Sequence, residues 1–330
     1  MGDVIKEQES SIHHPTVTSS RNYCTVAILN HNGKNLLAEC LDSIAAQTFT
    51  SFETVVIDNG STDGSKDFLA AVYPWVKVLA LAENKGFSAA YNVCMRDALE
   101  RGVEFFLLLN NDTWVGNDFL EELLKVAQGD NRIGAVCPKI YFASDLNKMW
   151  YAGGDFNLWL CRPRHRGFRE IDRGQFDGTN EVTLATGCAM LVRCSALRTV
   201  GLLDEQLWAY LEDVEWSVRF LKSDYKLAFA PKAHVWHYWG ETNVKKLGGG
   251  SEVITQYLNT RNALLLARKH LHWWQTPTHL LSFLVNHVLF FTALRLWRRD
   301  FRALLSIYRG IGRGFWLSFK TERWKTPNRR

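Results

Sequence analysis

Five large apolar residues, Phe105-Phe106-Leu107-Leu108-Leu109, run without a break into Asn110-Asn111-Asp112-Thr113. An unbroken apolar run describes a strand buried on both faces, as in a parallel sheet covered by helices. In open α/β sheets, ligands bind beyond the carboxyl ends of the strands. Asp112 therefore stands where a carboxylate can hold a divalent cation. Mg²⁺, for example, is bound by one or two carboxylates plus substrate phosphates. A polar turn leading into a helix cap would use the same residues.

The preceding segments repeat the pattern. Cys24 to Asn30 reads as a strand, and Leu36, Leu37, Cys40, Leu41 and Ile44 follow at helical spacing. Glu53-Thr54-Val55-Val56-Ile57-Asp58 is a second apolar strand that ends on a carboxylate. The turn cluster Asn59-Gly60-Ser61-Thr62-Asp63-Gly64-Ser65 leads into a helix from about Lys66, and a third strand covers Val76 to Leu81. Its loop, Glu83 to Ser88, opens a helix through Ala98. Strand, loop and helix in this order predict a doubly wound, mostly parallel α/β sheet flanked by helices. Its polar, Gly-containing loops can present N–H groups and helix N-termini to phosphates. Asp58 can accept from the ring N–H of a pyrimidine or bond a ribose hydroxyl; Asp58 and Asp63 can equally serve as turn formers. Neither G-x-G-x-x-G nor G-x-x-x-x-G-K-[ST] follows the first strand, which argues against a dinucleotide fold and a P-loop NTPase.

Beyond Cys137 the pattern becomes irregular, with a long hairpin or flap over Trp150 to Gly167. Glu181 to Val192 reads as a strand, a bend and a second strand, where Gly187 lets backbone approach a ligand or simply bends the chain. Val214, Val218 and Leu221 share a helical face, so Glu212 and Asp213 open a helix, where the dipole favours carboxylates in any case. Glu215 and Arg219 suit an i,i+4 pair. Lys226 to Ala230 predicts one more strand, ending at Pro231, with His234 and His237 just beyond it among aromatics.

Charge is unevenly distributed. Residues 261–330 carry 14 Lys and Arg against 2 Asp and Glu, a net of +12, whereas the rest of the chain carries −7. A basic tail on an acidic body suggests an anionic partner surface. From Leu271 to Leu294 no charged residue occurs, and the best apolar run, Leu280 to Leu294, is interrupted by Asn286 and His287. A membrane span needs about 20 predominantly apolar residues. The expectation is therefore a basic amphipathic surface lying in the membrane interface rather than a span. Nucleic acid is not expected as a partner, because the apolar content is high and no nucleic-acid-binding motif occurs. The seven cysteines form no C-x₂-C pair, and with no secretory signal read at the N-terminus they fit a reducing cytoplasm. The division expected is a loose tail over 1–22, a globular domain over 23–247 and a basic, aromatic-rich helical region over 248–330.

From about Tyr23 to Lys269 the chain resembles glycosyltransferase family 2, with a GT-A fold. The resemblance rests on five segments in the family's order: Val26-Ala27-Ile28-Leu29-Asn30 with Leu41-Asp42-Ser43-Ile44; Val56-Ile57-Asp58-Asn59-Gly60-Ser61-Thr62-Asp63-Gly64-Ser65; Asn84-Lys85-Gly86-Phe87-Ser88-Ala89-Ala90-Tyr91-Asn92; Leu109-Asn110-Asn111-Asp112-Thr113; and Tyr210-Leu211-Glu212-Asp213. The subgroup that looks most similar is the bacterial rhamnosyltransferases of cell-surface polysaccharide synthesis, which share the Asn-x-Gly-Phe loop and an Asn-x-Asp-Thr motif. The resemblance implies a nucleotide-sugar donor, best matched by dTDP-L-rhamnose, and inversion at the anomeric carbon. It further implies a glycan or lipid-linked acceptor, with attachment to the inner face of the cell membrane. Asp58 would hold the base, with Asn30, Asn59, Gly60, Asp63, Asn84, Lys85, Gly86, Asn92, Asn111 and Gly187 near the donor. Asp112 would ligate Mg²⁺ or Mn²⁺ on the diphosphate, and His237 would complete the metal site. Asn110 stands where the family often has its first Asp. Asp213 matches the general base, with Glu212 as its neighbour.

That chemistry needs those parts. Negative charge grows on the leaving diphosphate, which a metal and preorganised N–H groups stabilise. The attacking hydroxyl must lose a proton to a carboxylate on the opposite face of the sugar. A sugar nucleotidyltransferase would instead want a Gly-rich basic signature after the first strand, for which His31-Asn32-Gly33-Lys34 is a poor substitute. A catalytically silent membrane scaffold would give the carboxylates at successive strand ends no reason to occur together.

Overall fold

The computed structural model describes residues 23–157, 159–160, 162–178, 181–239 and 250–324. The tail expected over 1–22 and the boundary expected at 247–248 lie outside the described residues. In chain order the first half is β1 (Cys24–Asn30), α1 (Lys34–Ala45), β2 (Phe52–Asn59), α2 (Ser65–Val72), β3 (Lys77–Leu81), α3 (Gly86–Glu100), β4 (Phe105–Asn110), β5 (Thr113–Val115) and α4 (Phe119–Gly129). There follow β6 (Ile133–Phe142), β7 (Asp145–Tyr151), β8 (Gly154–Asn157), β9 (Arg162–His165), β10 (Glu181–Val182), β11 (Ala189–Arg193), α5 (Cys194–Val200), α6 (Glu212–Leu221) and β12 (Lys226–His237). The chain closes with α7 (Gly250–His270), α8 (Thr276–Trp297) and α9 (Phe301–Lys320).

Apolar periodicity explains the core. On α1 the buried residues are Leu37, Cys40, Leu41 and Ile44, one stripe of a helix laid on a sheet. On β4 all five apolar residues are buried, because the strand is central, with β1 on one side and β11 on the other. The sheet is mixed, in the order β10-β12-β6-β11-β4-β1-β2-β3. Its β4-β1-β2-β3 half is parallel, and its register aligns the carboxyl ends: Asn30 pairs with Asp58, Leu29 with Asn110, and Asn59 with Leu81. The Asn-Asn-Asp turn, the Asn59 to Ser65 turn and the β3–α3 loop therefore meet at one sheet edge.

The strand expected to stop at Pro231 does not. β12 continues to His237, with a register shift between Ala230 and His234. Proline has no N–H to give a ladder, so residues 231–233 bulge and pairing then resumes. The far end of β12 pairs His237 with Thr113 of β5.

The C-terminal helices form a second layer. α9 lies on α7 through Gly310 and Gly314, where an added Cβ would come within 2.8 Å of the Tyr257 carbonyl and 2.9 Å of the Arg261 carbonyl. The apolar helix is longer than the Leu280 to Leu294 run. It spans 22 residues, is π-helical over Leu284–Leu289, and is long and apolar enough to cross a membrane. Pro277 sits in its first turn, where the missing N–H costs nothing. The helix leaves Leu281, Leu289 and Phe290 exposed.

Candidate active site

Hydrogen bonds lock the loops at the sheet edge together. Asn111 Nδ2 donates to Asn30 Oδ1 at 2.7 Å, and Asn30 Nδ2 reaches Asp58 Oδ1 and Ser61 Oγ at 3.3 Å each. Asp58 is fully buried. Asn59 Nδ2 donates to Asn84 Oδ1 at 3.0 Å, while its Oδ1 accepts from the Lys85 amide at 2.9 Å. Asn84 Oδ1 also accepts from the Gly86 amide at 2.9 Å, which leaves Lys85 exposed at the entrance to α3. Two glycines are required for this fit. A Cβ at Gly60 would lie 2.6 Å from the Glu83 carbonyl carbon, and one at Gly86 would lie 2.6 Å from the Trp208 ring; both residues have positive φ.

Two predicted donor contacts are engaged elsewhere. The Asp63 carboxylate accepts from the Lys34 amide at 2.9 Å and the Ser65 amide at 3.1 Å. Burial opposes its ionisation, yet Ser65 and these amides hold its pKa below the usual carboxylate range. Asn92, buried on α3, donates to the Leu203 carbonyl at 2.9 Å and accepts from the Leu203 amide at 3.0 Å. Both residues thus tie loops together.

At the end of β4, Asp112 Oδ1 stands 3.3 Å from His237 Nε2. Burial alone would lower the His237 pKa, but Cys188 and Asp112 beside it raise it well above the ordinary value. The other histidine, His234, is the first residue paired beyond the bulge and bonds the Pro231 carbonyl at 3.2 Å. Among the described residues no group of three His, Cys, Asp or Glu side chains forms a metal cage. Two protein ligands plus phosphate oxygens nevertheless suit Mg²⁺ or Mn²⁺. Asp112 and His237, an oxygen and a nitrogen donor side by side, would supply those two ligands.

The carboxylates of α6 approach the same edge from the other side. Gly187 N–H donates to Asp213 Oδ2 at 3.0 Å and Val214 N–H to Oδ1 at 2.8 Å. Burial raises the Asp213 pKa, and those two amides moderate the rise. Glu212 is buried, and its Oε2 has no hydrogen-bond partner among the described residues. Burial, followed by the adjacent Asp213, pushes its pKa up to about 8. The adjacent Asp213 carboxyl thus opposes ionisation of Glu212 in addition to burial. A buried ion pair sets α6 itself: Arg219 Nε donates to Glu215 Oε2 at 2.8 Å, and His270 of α7 lies 2.9 Å from Glu215 Oε1. Sequence reading missed the part played by α7. Asn262 closes the polar stretch Asn259-Thr260-Arg261-Asn262, so nothing local in the sequence marks it out.

Residues 25–201 match the model of glycosyl transferase family 2. The chain belongs to that family, and it is a glycosyltransferase. It is 27% identical to the dTDP-rhamnosyl transferase RfbF of Shigella flexneri over 76% of this chain and 81% of that one. It is 26% identical to an N-acetylglucosaminyl-diphospho-decaprenol L-rhamnosyltransferase of Mycobacterium tuberculosis, over 73% of this chain and 83% of that one. Among solved structures, a mannosyltransferase from Pyrobaculum calidifontis, in complex with GDP-Man and Mn²⁺, superposes with a TM-score of 0.56 at 16% identity, covering 92% of this chain and 89% of that one. GalNAc-T7 with UDP, GalNAc and Mn²⁺ also reaches 0.56, over 76% of this chain. These superpositions establish the GT-A fold of this family 2 glycosyltransferase.

Proposed function

We propose that this glycosyltransferase moves a sugar, with inversion, from a nucleotide-sugar to a hydroxyl of a glycan or lipid-linked acceptor, and that its donor is dTDP-L-rhamnose. The observation that carries the reading is the Gly187-Cys188 dipeptide. Its Gly187 amide holds Asp213, while its Cys188 carbonyl accepts from the Asn110 amide at 2.9 Å beside the Asp112 turn. One backbone step thus couples the candidate base to the candidate diphosphate site. The donor choice is supported by the rhamnosyltransferase relatives, and the acceptor class by the lipid-linked sugar in the name of one of them.

Asp112 and His237 would hold a divalent cation, which when bound neutralises charge on the diphosphate. Asp58 with Asn30, Asn59 and Asn111 would receive the nucleoside, and Gly60, Asn84, Lys85 and Gly86 form the adjoining wall. Asp213 takes the proton from the acceptor hydroxyl as its oxygen bonds the anomeric carbon. The bond from that carbon to the diphosphate breaks, and its electron pair leaves with the nucleoside diphosphate. A base is most effective with a pKa near the working pH, the direction in which burial moves Asp213. Glu212, whose ionisation burial and Asp213 both oppose, stands beside the base.

The C-terminal layer supports attachment to the cytoplasmic membrane face. Trp273, Trp297, Phe301 and Phe319 are exposed, and Trp316 lies between Arg313 and Lys320. Each Lys or Arg near an anionic bilayer contributes about 1 kcal/mol, and exposed aromatics add to it. A thermal-shift panel of nucleotide-sugars with Mg²⁺ and Mn²⁺ tests the donor. A metal-dependent rise with dTDP-L-rhamnose above the UDP- and GDP-sugars is expected; a larger rise with another sugar nucleotide reassigns the donor.

A further inference from the structure

We propose that Asn262 on α7 is a positioning residue for the reaction, acting through the backbone of residues 207–211 on Asp213. The proposal rests on reading Asp213 as the base. This five-residue strap joins the donor side of the site to α6. At one end the Trp208 carbonyl accepts from the Phe87 and Ser88 amides at 2.7 and 3.2 Å, and the Trp208 ring closes on Gly86. At the other end Leu211 leads into Glu212 and Asp213.

The strap does not hold this shape by itself. Trp208, Tyr210 and Leu211 have φ of 63°, 68° and 64°. Left-handed backbone costs a non-glycine residue roughly 1–2 kcal/mol, and such residues persist where their surroundings over-determine them. Here one side chain meets three of the strap's carbonyls. Asn262 is fully buried, and its Nδ2 donates to the carbonyls of Leu207 and Ala209 at 2.9 Å each and of Tyr210 at 2.7 Å. A primary amide has two N–H groups, so three carbonyls converge on it and at least one hydrogen is shared. Arg261 orients the amide: its Nε donates to Asn262 Oδ1 at 2.8 Å, which turns the NH₂ towards the strap, and its Nη2 donates to the Leu207 carbonyl at 2.7 Å. α7 thus belongs to the catalytic machinery as well as to the C-terminal layer.

The test uses the full chain with Asn262→Ala, Asn262→Asp and Arg261→Lys. Turnover is followed as nucleoside diphosphate release from the nucleotide-sugar that the thermal-shift panel selects. Affinity for the matching nucleoside diphosphate is measured by calorimetry. Misplacement of a reacting group by about 1 Å costs on the order of 10²-fold in rate. We expect kcat to fall roughly 10- to 100-fold in both Asn262 variants, with the dissociation constant unchanged and a smaller fall of the same kind in Arg261→Lys. In an Asp213→Asn background, Asn262→Ala is expected to add almost nothing, an outcome that a general loss of folding would not produce. If Asn262→Ala does not fold, Arg261→Lys carries the same comparison. Unchanged kcat in whichever of these variants folds overturns the proposal, as does an equal loss in both backgrounds. Full activity in Asp213→Asn removes the base reading and the route through it. An inactive Asp213→Asn beside a fully active Asn262→Ala removes the positioning role alone.

Discussion

The Gly187 amide donates to the Asp213 carboxylate at 3.0 Å. A Cβ at Gly187 would stand 3.2 Å from the Phe87 ring and 3.6 Å from Asp213 Cβ, so glycine allows the donor loop and the base to approach this closely. Asp213→Asn keeps the size of the side chain and removes the base. We expect kcat to fall roughly 10²- to 10⁴-fold with nucleotide affinity retained. Steady-state rates beside calorimetry check this, and a fall below tenfold with chemistry rate-limiting would move the role elsewhere.

Asp112→Ala removes one of the two groups facing each other across 3.3 Å. Donor affinity should then become independent of Mg²⁺ or Mn²⁺, and chelation should no longer change it. Calorimetry of the nucleoside diphosphate with and without metal decides the matter; full metal-dependent affinity in the variant would sink the assignment.

Glu212 makes a pH-dependent contribution with a definite sign. Its folded pKa is raised from 4.5 to about 8, so between those values the folded state binds more protons than the unfolded one. Its contribution to stability therefore decreases as pH rises from about 4.5 to about 8. Glu212→Gln removes that decrease. The melting temperature of the variant relative to the parent should climb across this window, at roughly 2–4 °C per kcal/mol. Parallel melting curves at pH 5 and pH 8 would contradict it.

Gly86 has φ +81° and meets the Trp208 indole. Gly86→Ala combines left-handed strain of about 1–2 kcal/mol with displacement of that ring. We expect a lower melting temperature together with weaker nucleotide binding, read by thermal shift with and without nucleotide. A variant as stable as the parent would show that the strap does not close on α3 in solution.

Trp297 is 80% and Phe301 65% exposed. Changing both to Ser should weaken sedimentation with phosphatidylglycerol vesicles and leave nucleotide affinity unchanged. High salt or carbonate should extract the parent from membranes. Extraction by detergent alone would show that Thr276–Trp297 spans the bilayer. Because α7 touches the strap, truncation near Lys269 is a poorer test: it also removes α9, which packs on Tyr257 and Arg261.

The order of strands and the carboxylates at their ends could be read from the chain alone, because apolar runs and helical stripes are local properties. Asp58, Asp112 and Asp213 were legible for that reason, each standing where a periodic segment stops or starts. His237 was named as the partner of Asp112 by the family resemblance alone, since the residues themselves did not distinguish it from His234. Pairing resumes at His234 beyond the Pro231 bulge, and side chains alternate across the strand, so His237 reaches Asp112 while His234 reaches back to the Pro231 carbonyl. That Asn92 and Asp63 also tie loops together, through Leu203 and through the Lys34 and Ser65 amides, could not be read from the chain. Asn262 became visible only in three dimensions, since the carbonyls it gathers lie more than fifty positions away along the chain. Local pattern thus determined where chemistry could sit, and long-range hydrogen bonding, which leaves no period in a sequence, decided which side chains are available to perform it.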